Sequence, residues 1–320
     1  MRRLMVSAIA ATLILGVAAC GSTEDTGDDG GSAGPDRVKV GAIPIVDVAP
    51  LYLGEEKGFF RDQGIELEVV NTTGGAAAVP GVVSGEFDFA FGNVVSLILA
   101  RSQRLPLKAI AVGNSSTGKA DADFGGIVVP AGSPIQTAAD LAGRTVAVNN
   151  LKNVGDTTVR ASIRKAGGDA TKVKFVELPF PDMPAAVAAK RVDAAWIVEP
   201  FFTVARNEGA RVVASNFVDT APNMTVAAYF TSENVVKERA DLTRRFTAAI
   251  ETSLKYAQEH PDEARKVLLS YTKIEAAVTE QITLPAWPTE INRESVQVMA
   301  DLMLTDGLIK EKVDISELLP

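Results

Sequence analysis

Five short loops carry most of the polar chemistry this chain has to offer. "PIVDVA" holds Asp47, "TTGG" ends on Gly75 ahead of Ala76, "FGN" holds Asn93, "NNLKN" holds Asn150 and Asn153, and "VEPF" holds Glu199. Carboxylates accept hydrogen bonds from an amine or hydroxyl, asparagine amides both donate and accept, and Gly75 and Ala76 offer backbone N–H groups. Each has a plainer reading beside it. Asp47 equally suits a helix N-cap ahead of Pro50, Asn93 a side-chain-to-backbone turn bond, and one of the two asparagines a cap. Glu199 also reads as a solvated loop carboxylate, and Gly75 and Ala76 as an ordinary turn. Phe91, Phe180, Trp196 and Phe201 would serve as flat walls for a ligand or as core; Trp196, in mid-strand, is expected to be buried.

The rest of the composition closes off chemistry. There is one histidine, His260, just before a proline in "QEHPDEA", and one cysteine, Cys20. A Ser-His-Asp relay would have to use a residue that reads as a surface helix boundary, and no His/Cys metal cluster can be assembled. Carboxylate-only metal or glycosidase chemistry stays open in principle, but no spacing singles out a pair. No metal and no cofactor are expected. Acidic residues outnumber basic ones, 40 against 32. A net negative chain does not seek nucleic acid.

These loops need elements to hold them. From Arg37 the pattern runs strand ("RVKVGAI"), loop, helix opening near Pro50, strand ("IELEVV"), the Gly-Gly loop, a short helix, and a Phe-rich strand ("FDFAF"). "LPLKAIAVG" adds another strand, and the same grammar restarts beyond "GGIVVPAGSPIQ". Alternating strands and helices predict an α/β fold with parallel sheets. In "DTTVRASIRKAGG", Val159, Ile163 and Ala166 share one helical face, with Gly167 as the stop. "VVSGEFDFAFGN" and "AVAAKRVDAAWIVEP" echo each other, with Asp88 and Asp193 as matching residues, so one supersecondary unit is read in each of two lobes. "MTVAAYF", Met224 to Phe230, reads as a strand returning to the first lobe. The remainder reads as helical, including a segment capped by Asn292 and stopped at Gly307.

The first residues stand apart. "MRRLMVSAIAATLILGVAAC" has a basic start and a short apolar run, the pattern of a secretory signal over residues 1–19. "VAAC" resembles a bacterial lipobox, which implies a diacylglyceryl-modified Cys20 and a chain anchored outside the cytoplasm to the cell membrane. Residues 20–36, "CGSTEDTGDDGGSAGPD", read as the lipidated cysteine and an acidic tether without structure. Loss of Arg2 and Arg3 with the signal leaves 30 basic residues against 40 acidic ones.

From Arg37 to Pro320 the segments "APLYLGEEKGFFRDQGIELEVV", "SGEFDFAFGN", "DLAGRTVAV", "RVDAAWIVEPF" and "MADLMLTDGLI" together resemble the nitrate/sulfonate/taurine and thiamine-precursor (pyrimidine) group of ABC-transporter substrate-binding proteins. The resemblance implies a type II periplasmic-binding-protein fold: two α/β lobes, joined by two crossing strands, closing over a small molecule. Lobe I would comprise residues 37–124 and 223–320 and lobe II residues 125–222, with crossings near Phe124 to Val128 and Ala221 to Val226. It places Glu199 at the interlobe cleft, against a ligand donor or the opposite lobe. It implies a monomer that captures a small organic anion or heteroaromatic compound and hands it to an ABC permease and its ATPase, without catalysis. Two alternatives share the likeness: a ligand-sensing lipoprotein acting on a receptor, and a thiamine-pyrimidine synthase-like enzyme. One departure from the group's pattern stands out. Where relatives run a regular helix after the Gly75 position, "AVPGVVSG" puts Pro80 inside it, predicting a late start or a kink.

Overall fold

The computed structural model describes residues 34–320. The signal, Cys20 and most of the tether read from the sequence lie outside these residues. Asp36, assigned above to the tether, is instead the first residue of a strand, where its carboxylate accepts from Arg245 Nη2 at 2.6 Å.

Ten strands form two five-stranded sheets. The first contains β1 (Asp36–Ala42), β2 (Ile65–Asn71), β3 (Phe89–Asn93), β4 (Leu107–Ser115) and β10 (Thr225–Ser232), in the order β2-β1-β3-β10-β4. The second contains β5 (Gly125–Val129), β6 (Thr145–Val148), β7 (Lys174–Glu177), β8 (Ala194–Val198) and β9 (Arg211–Ala214), in the order β7-β6-β8-β5-β9. Parallel pairs dominate one side of each sheet, and one strand, β10 or β5, runs antiparallel to both its neighbours. Every residue of β3, β5 and β8 is buried, as expected for central strands covered on both faces.

The sequence echo is a structural repeat. Asp88 exchanges bonds with the neighbouring strand: its N–H donates to Lys39 O at 2.9 Å and its Oδ2 accepts from Lys39 N at 2.8 Å. Asp193 does the same with Thr145, at 3.0 and 2.8 Å. Each aspartate ties the entry of a central strand to its parallel partner in its own sheet.

The chain passes between sheets twice, after β4 and before β10. Gly125 onward is already β5 of the second sheet, so the first crossing is residues 116–124, upstream of the stretch expected from sequence. Asp123 pins it, its carboxylate accepting from Ser116 Oγ and from the N–H groups of Thr117 and Phe124. The second crossing lies alongside, with Ser116 N donating to Met224 O at 2.8 Å.

Helices α1 (Ala49–Lys57), α2 (Gly75–Ser84) and α3 (Val94–Ser102) connect strands of the first sheet, and α4 (Val154–Lys165) follows β6. Proline sits in the first turn of α1, and Gly58 in left-handed geometry ends it. The helix Ala240–Glu259 buries Leu242, Phe246, Ala249, Ile250, Leu254 and Ala257, a stripe at helical spacing, with Phe246 stacked on Phe89 at 4.0 Å. It lies so close to α1 that a Cβ on Gly54 would fall 1.9 Å from Ser253 Oγ. Val159 and Ile163 of α4 are fully buried as read from their spacing, but Ala166 lies past the helix end and is exposed. Pro80 is neither at a late start nor in a first turn: α2 begins at Gly75 and runs through it. Pro80 has no N–H for the carbonyl one turn earlier, and the helix tolerates that loss close to its exposed end.

Candidate functional site

The carboxyl ends of β1, β3, β6 and β8 face one another across the two sheets, and a narrow cavity open to solvent lies between them. In open α/β sheets this end of the strands is where ligands collect. Its walls come from both lobes: Asp47, Gly74, Gly75, Phe91 and Asn93 from one side, Asn149, Asn153, Phe180 and Trp196 from the other. Three helices begin here, α2 at Gly75, α3 after Asn93 and α4 after Asn153.

Of the seven candidates named from sequence, Asp47, Gly75, Asn93 and Asn153 meet at this cavity. Asp47 does not cap α1; the residue at that cap is Val48, with no side-chain bond. It sits instead in a turn of 3-10 helix, fully buried, where Oδ2 accepts from Asn114 Nδ2 at 2.8 Å and Oδ1 has no partner. Burial pushes its carboxyl up from the usual range to about 7, against the lowering effect of its hydrogen bonds.

Asn93 and Asn153 combine both of their readings. Asn93 Oδ1 caps α3 through Ser96 N at 3.0 Å while its side chain lines the cavity. Asn153 closes a reciprocal capping box with Asp156 at the start of α4.

Three candidates fall outside. The side chain of Ala76 is exposed on α2 and does not line the cavity, while its backbone N–H, the group read from sequence, lies in the first turn of the helix, where N–H groups lack an intrahelical acceptor. Asn150 is behind the wall, its Oδ1 in reach of Asn149 Nδ2 at 3.4 Å and Asn153 Nδ2 at 3.5 Å, so it orients the lining asparagines. Glu199 is wholly buried and touches no open space. Its Oε1 accepts from Thr203 Oγ1 at 2.7 Å and from Thr283 N at 3.3 Å, and its Oε2 from Thr203 N at 3.0 Å. Thr203 belongs to the same lobe; Thr283 belongs to the C-terminal part of the chain that packs with the other. Burial raises this carboxyl to about 7 as well. Of the two cleft roles implied by resemblance, the bond to the opposite lobe is the one formed.

Asn149 was missed by sequence reading, although it opens the same "NNLKN" run. Its Nδ2 donates to Thr73 O at 3.1 Å, tying β6's exit loop to the loop before α2. The signal was the position directly after the last strand residue, Val148, where side chains reach the cleft. Trp196 is buried as expected, yet its Nε1 has no partner and its ring lines the cavity, edge-on to Phe180 at 5.2 Å. Phe91 joins them; Phe201 lies outside.

The glycine before the candidate pair matters for shape. Gly74 has φ of 148°, and a Cβ there would meet Asn150 Oδ1 at 2.4 Å and Asn149 Nδ2 at 2.8 Å. Only a residue without a side chain lets the two lobes approach at this lip.

A protein-family model described as NMT1/THI5 like matches residues 45–264, which include both crossings and nearly the whole cavity wall. The chain belongs to that family. A formylaminopyrimidine-binding protein of Halalkalibacterium halodurans is 26% identical over 223 residues, covering 69% of this chain and 65% of that protein, just under two thirds of its length. Among solved structures, the alkanesulfonate-binding protein SsuA of Xanthomonas axonopodis, bound to MOPS, aligns with TM-score 0.74 at 18% identity, over 90% of this chain and 99% of that one. The nitrate-binding protein NrtA of Synechocystis aligns with TM-score 0.75 at 15% identity, over 89% of this chain and 86% of that one. These likenesses establish the architecture as the two-lobed type II periplasmic-binding-protein fold.

Proposed function

We propose that this member of the NMT1/THI5-like family is the extracytoplasmic solute-binding component of an ABC importer. It captures a small molecule between its lobes, without chemical change, and presents the closed form to a membrane permease driven by its ATPase. The observation that carries this reading is the interlobe cavity, walled from both sheets and holding buried polar atoms without partners on either side. A ligand that bridges such walls stabilises only the closed arrangement, and that differential affinity is what moves the population. The names of the relatives agree, since the proteins above bind a formylaminopyrimidine, alkanesulfonates and nitrate. The domain limits proposed are lobe I at residues 37–124 and 223–320, extended by Asp36 of β1, and lobe II at 125–222, which assign each sheet's strands to one lobe.

Anchoring belongs to the same proposal. Residues 1–19 are the export signal and Cys20 carries the lipid, so the folded part works at the membrane surface as a single chain. Globomycin-sensitive processing and metabolic labelling with an alkyne fatty acid test this directly: a Cys20→Ala chain that is still labelled removes the anchor.

The function itself is tested on the soluble fragment from residue 35 by melting curves and small-angle scattering with a broad solute panel. Binding to the folded state alone raises the melting temperature, by about 2.7 kcal/mol of added stability at a hundredfold excess over Kd. Stabilisation together with compaction is the expected result. A panel that produces neither sinks the importer reading.

A further inference from the structure

Asp47 is the one acidic side chain among the described residues that line the cavity, and very little regular structure presents it. Ile45 is extended, and Val46–Val48 make a single 3-10 turn before α1 begins. Such a turn has poorer hydrogen-bond geometry than an α-helix, so it contributes little rigidity of its own. Its buried carbonyls also need donors from elsewhere. Two distant side chains supply them: Tyr271 Oη donates to Ile45 O at 3.0 Å, and Trp287 Nε1 donates to Asp47 O at 3.3 Å. Neither residue lines the cavity.

These bonds close a circuit around Asp47. Ser115 and Ala286 exchange both of their main-chain bonds, at 2.8 and 3.0 Å. Asn114, directly before Ser115, donates to Asp47 Oδ2 at 2.8 Å, and Trp287, directly after Ala286, donates to the Asp47 carbonyl. Side chain and main chain of one residue are therefore gripped from a single bridged pair of segments. The grip is itself braced. Gln258 Oε1 accepts from Trp287 N at 2.8 Å, and the indole is buried, with an N–H that can only donate. Tyr271 ends the short helix Leu268–Tyr271, and its ring stacks on Tyr52 of α1 at 3.9 Å, which sets where the phenol points. Tyr271, Ala286 and Trp287 all lie beyond residue 264, where the family match ends.

We propose that Trp287 and Tyr271 are positioning residues for the solute site, holding the Ile45–Asp47 main chain so that the Asp47 carboxyl stands at the cavity wall in one orientation. This rests on the solute-binding reading above and adds to it a part of the site contributed by residues 271–287. A recognition group held in place by its supporting shell discriminates among solutes better than one free to follow them. The C-terminal segment thus acts on recognition through Asp47, without touching the cargo.

The test uses the full chain in detergent and two variants that each keep a ring and lose a donor, Trp287→Phe and Tyr271→Phe. Hydrogen exchange read by mass spectrometry is expected to quicken about tenfold or more over residues 43–49 while β3 and β4 keep their wild-type rates, which separates local opening from global unfolding. Carbon-13 spectra of labelled aspartate give a second readout. Asp47 is faced by Asp123, Tyr229 and Tyr271, and burial holds its carboxyl high. A loosened turn admits water, so its titration is expected to move down toward the ordinary carboxylate range. Trp287→Phe leaves all three facing groups in place, so a shift there comes from the main chain. If Trp287→Phe does not fold, Tyr271→Phe decides alone. Exchange that quickens equally throughout the first sheet marks a merely structural role and overturns the proposal. Wild-type exchange and titration in both variants overturn it too, and leave the importer reading standing. That reading fails on its own solute panel, which these ligand-free readouts do not use.

Discussion

Val46 N donates to the main-chain oxygen of Glu199 at 3.1 Å, so the residue preceding Asp47 is bonded to the exit loop of β8 in the other sheet. Together with the Glu199 side-chain bond to Thr283 N, this fastens the loop that presents Asp47 to the second lobe. The buried glutamate thus joins the two lobes without touching the cavity.

Replacing Glu199 with alanine should therefore loosen the lobes more than it alters the pocket. Thr203 N, Thr203 Oγ1 and Thr283 N would lose their acceptor, at about 1 to 3 kcal/mol for each group left buried. The expected result is a fall in denaturation midpoint, with ligand affinity reduced severalfold but selectivity among ligands unchanged. Urea titration and calorimetry on the same preparation check it; a change in ligand preference would place Glu199 in the site after all.

Acid should stabilise the ligand-free protein over an unusual window. Asp47 and Glu199 both have folded-state values near 7, raised by burial above the ordinary 3.8 and 4.5. Asp47 is faced by Asp123, Tyr229 and Tyr271, and among the described residues Asn114 is its one side-chain donor. Between those limits the folded chain holds protons that the unfolded chain has released, so stability falls as pH rises from about 4 to about 7 and levels off above. Melting temperature against pH, with and without the Asp47→Asn change, checks the sign. A wild-type curve that rises across this range would contradict it.

Gly74→Ala should keep the fold and impair closure. The added methyl meets Asn150 Oδ1 and Asn149 Nδ2, both in the opposite lobe, and a φ of 148° is strained for alanine in any case. A tenfold or greater loss of affinity is expected, about 1.4 kcal/mol, with no ligand-induced compaction by scattering.

A second tie lies away from the cavity. Arg164 at the end of α4 makes a two-pronged ion pair with Asp306, at 2.6 and 3.1 Å, and the Asp306 side chain is only 7% exposed. Geometry of this kind is worth more than an ordinary surface pair. Arg164→Ala is expected to open the lobes, with affinity down about tenfold and wild-type binding itself weakening as salt is raised. Scattering profiles of the unliganded variant that match wild type would show that the pair does not hold the closed form.

Much of this was legible beforehand because it repeats. Asp88 and Asp193 stood at matching places in two similar segments, and each proved to tie a central strand to its parallel neighbour by the same pair of bonds. Loops after strand ends were also recognisable, and the structure places Asp47, Gly75, Asn93 and Asn153 of those loops around one cavity. What failed was one-residue phase. Asn149 and Asn150 are adjacent and chemically identical, yet only one turns into the cavity, since that depends on where β6 ends. The bond from Glu199 to the opposite lobe was implied by resemblance and not by local sequence: nothing nearby reveals Thr283, whose N–H arrives from a segment more than eighty residues later.

Among the described residues, a hydrogen bond between neutral groups, Asn149 Nδ2 to Thr73 O, ties the lip of the cavity, while elsewhere the lobes are joined by the Arg164–Asp306 ion pair and the Glu199–Thr283 bond. A neutral bond of this kind has a net worth of about 1 kcal/mol. An Asn149→Ala change is therefore expected to cost the closed form less than loss of the Arg164–Asp306 pair.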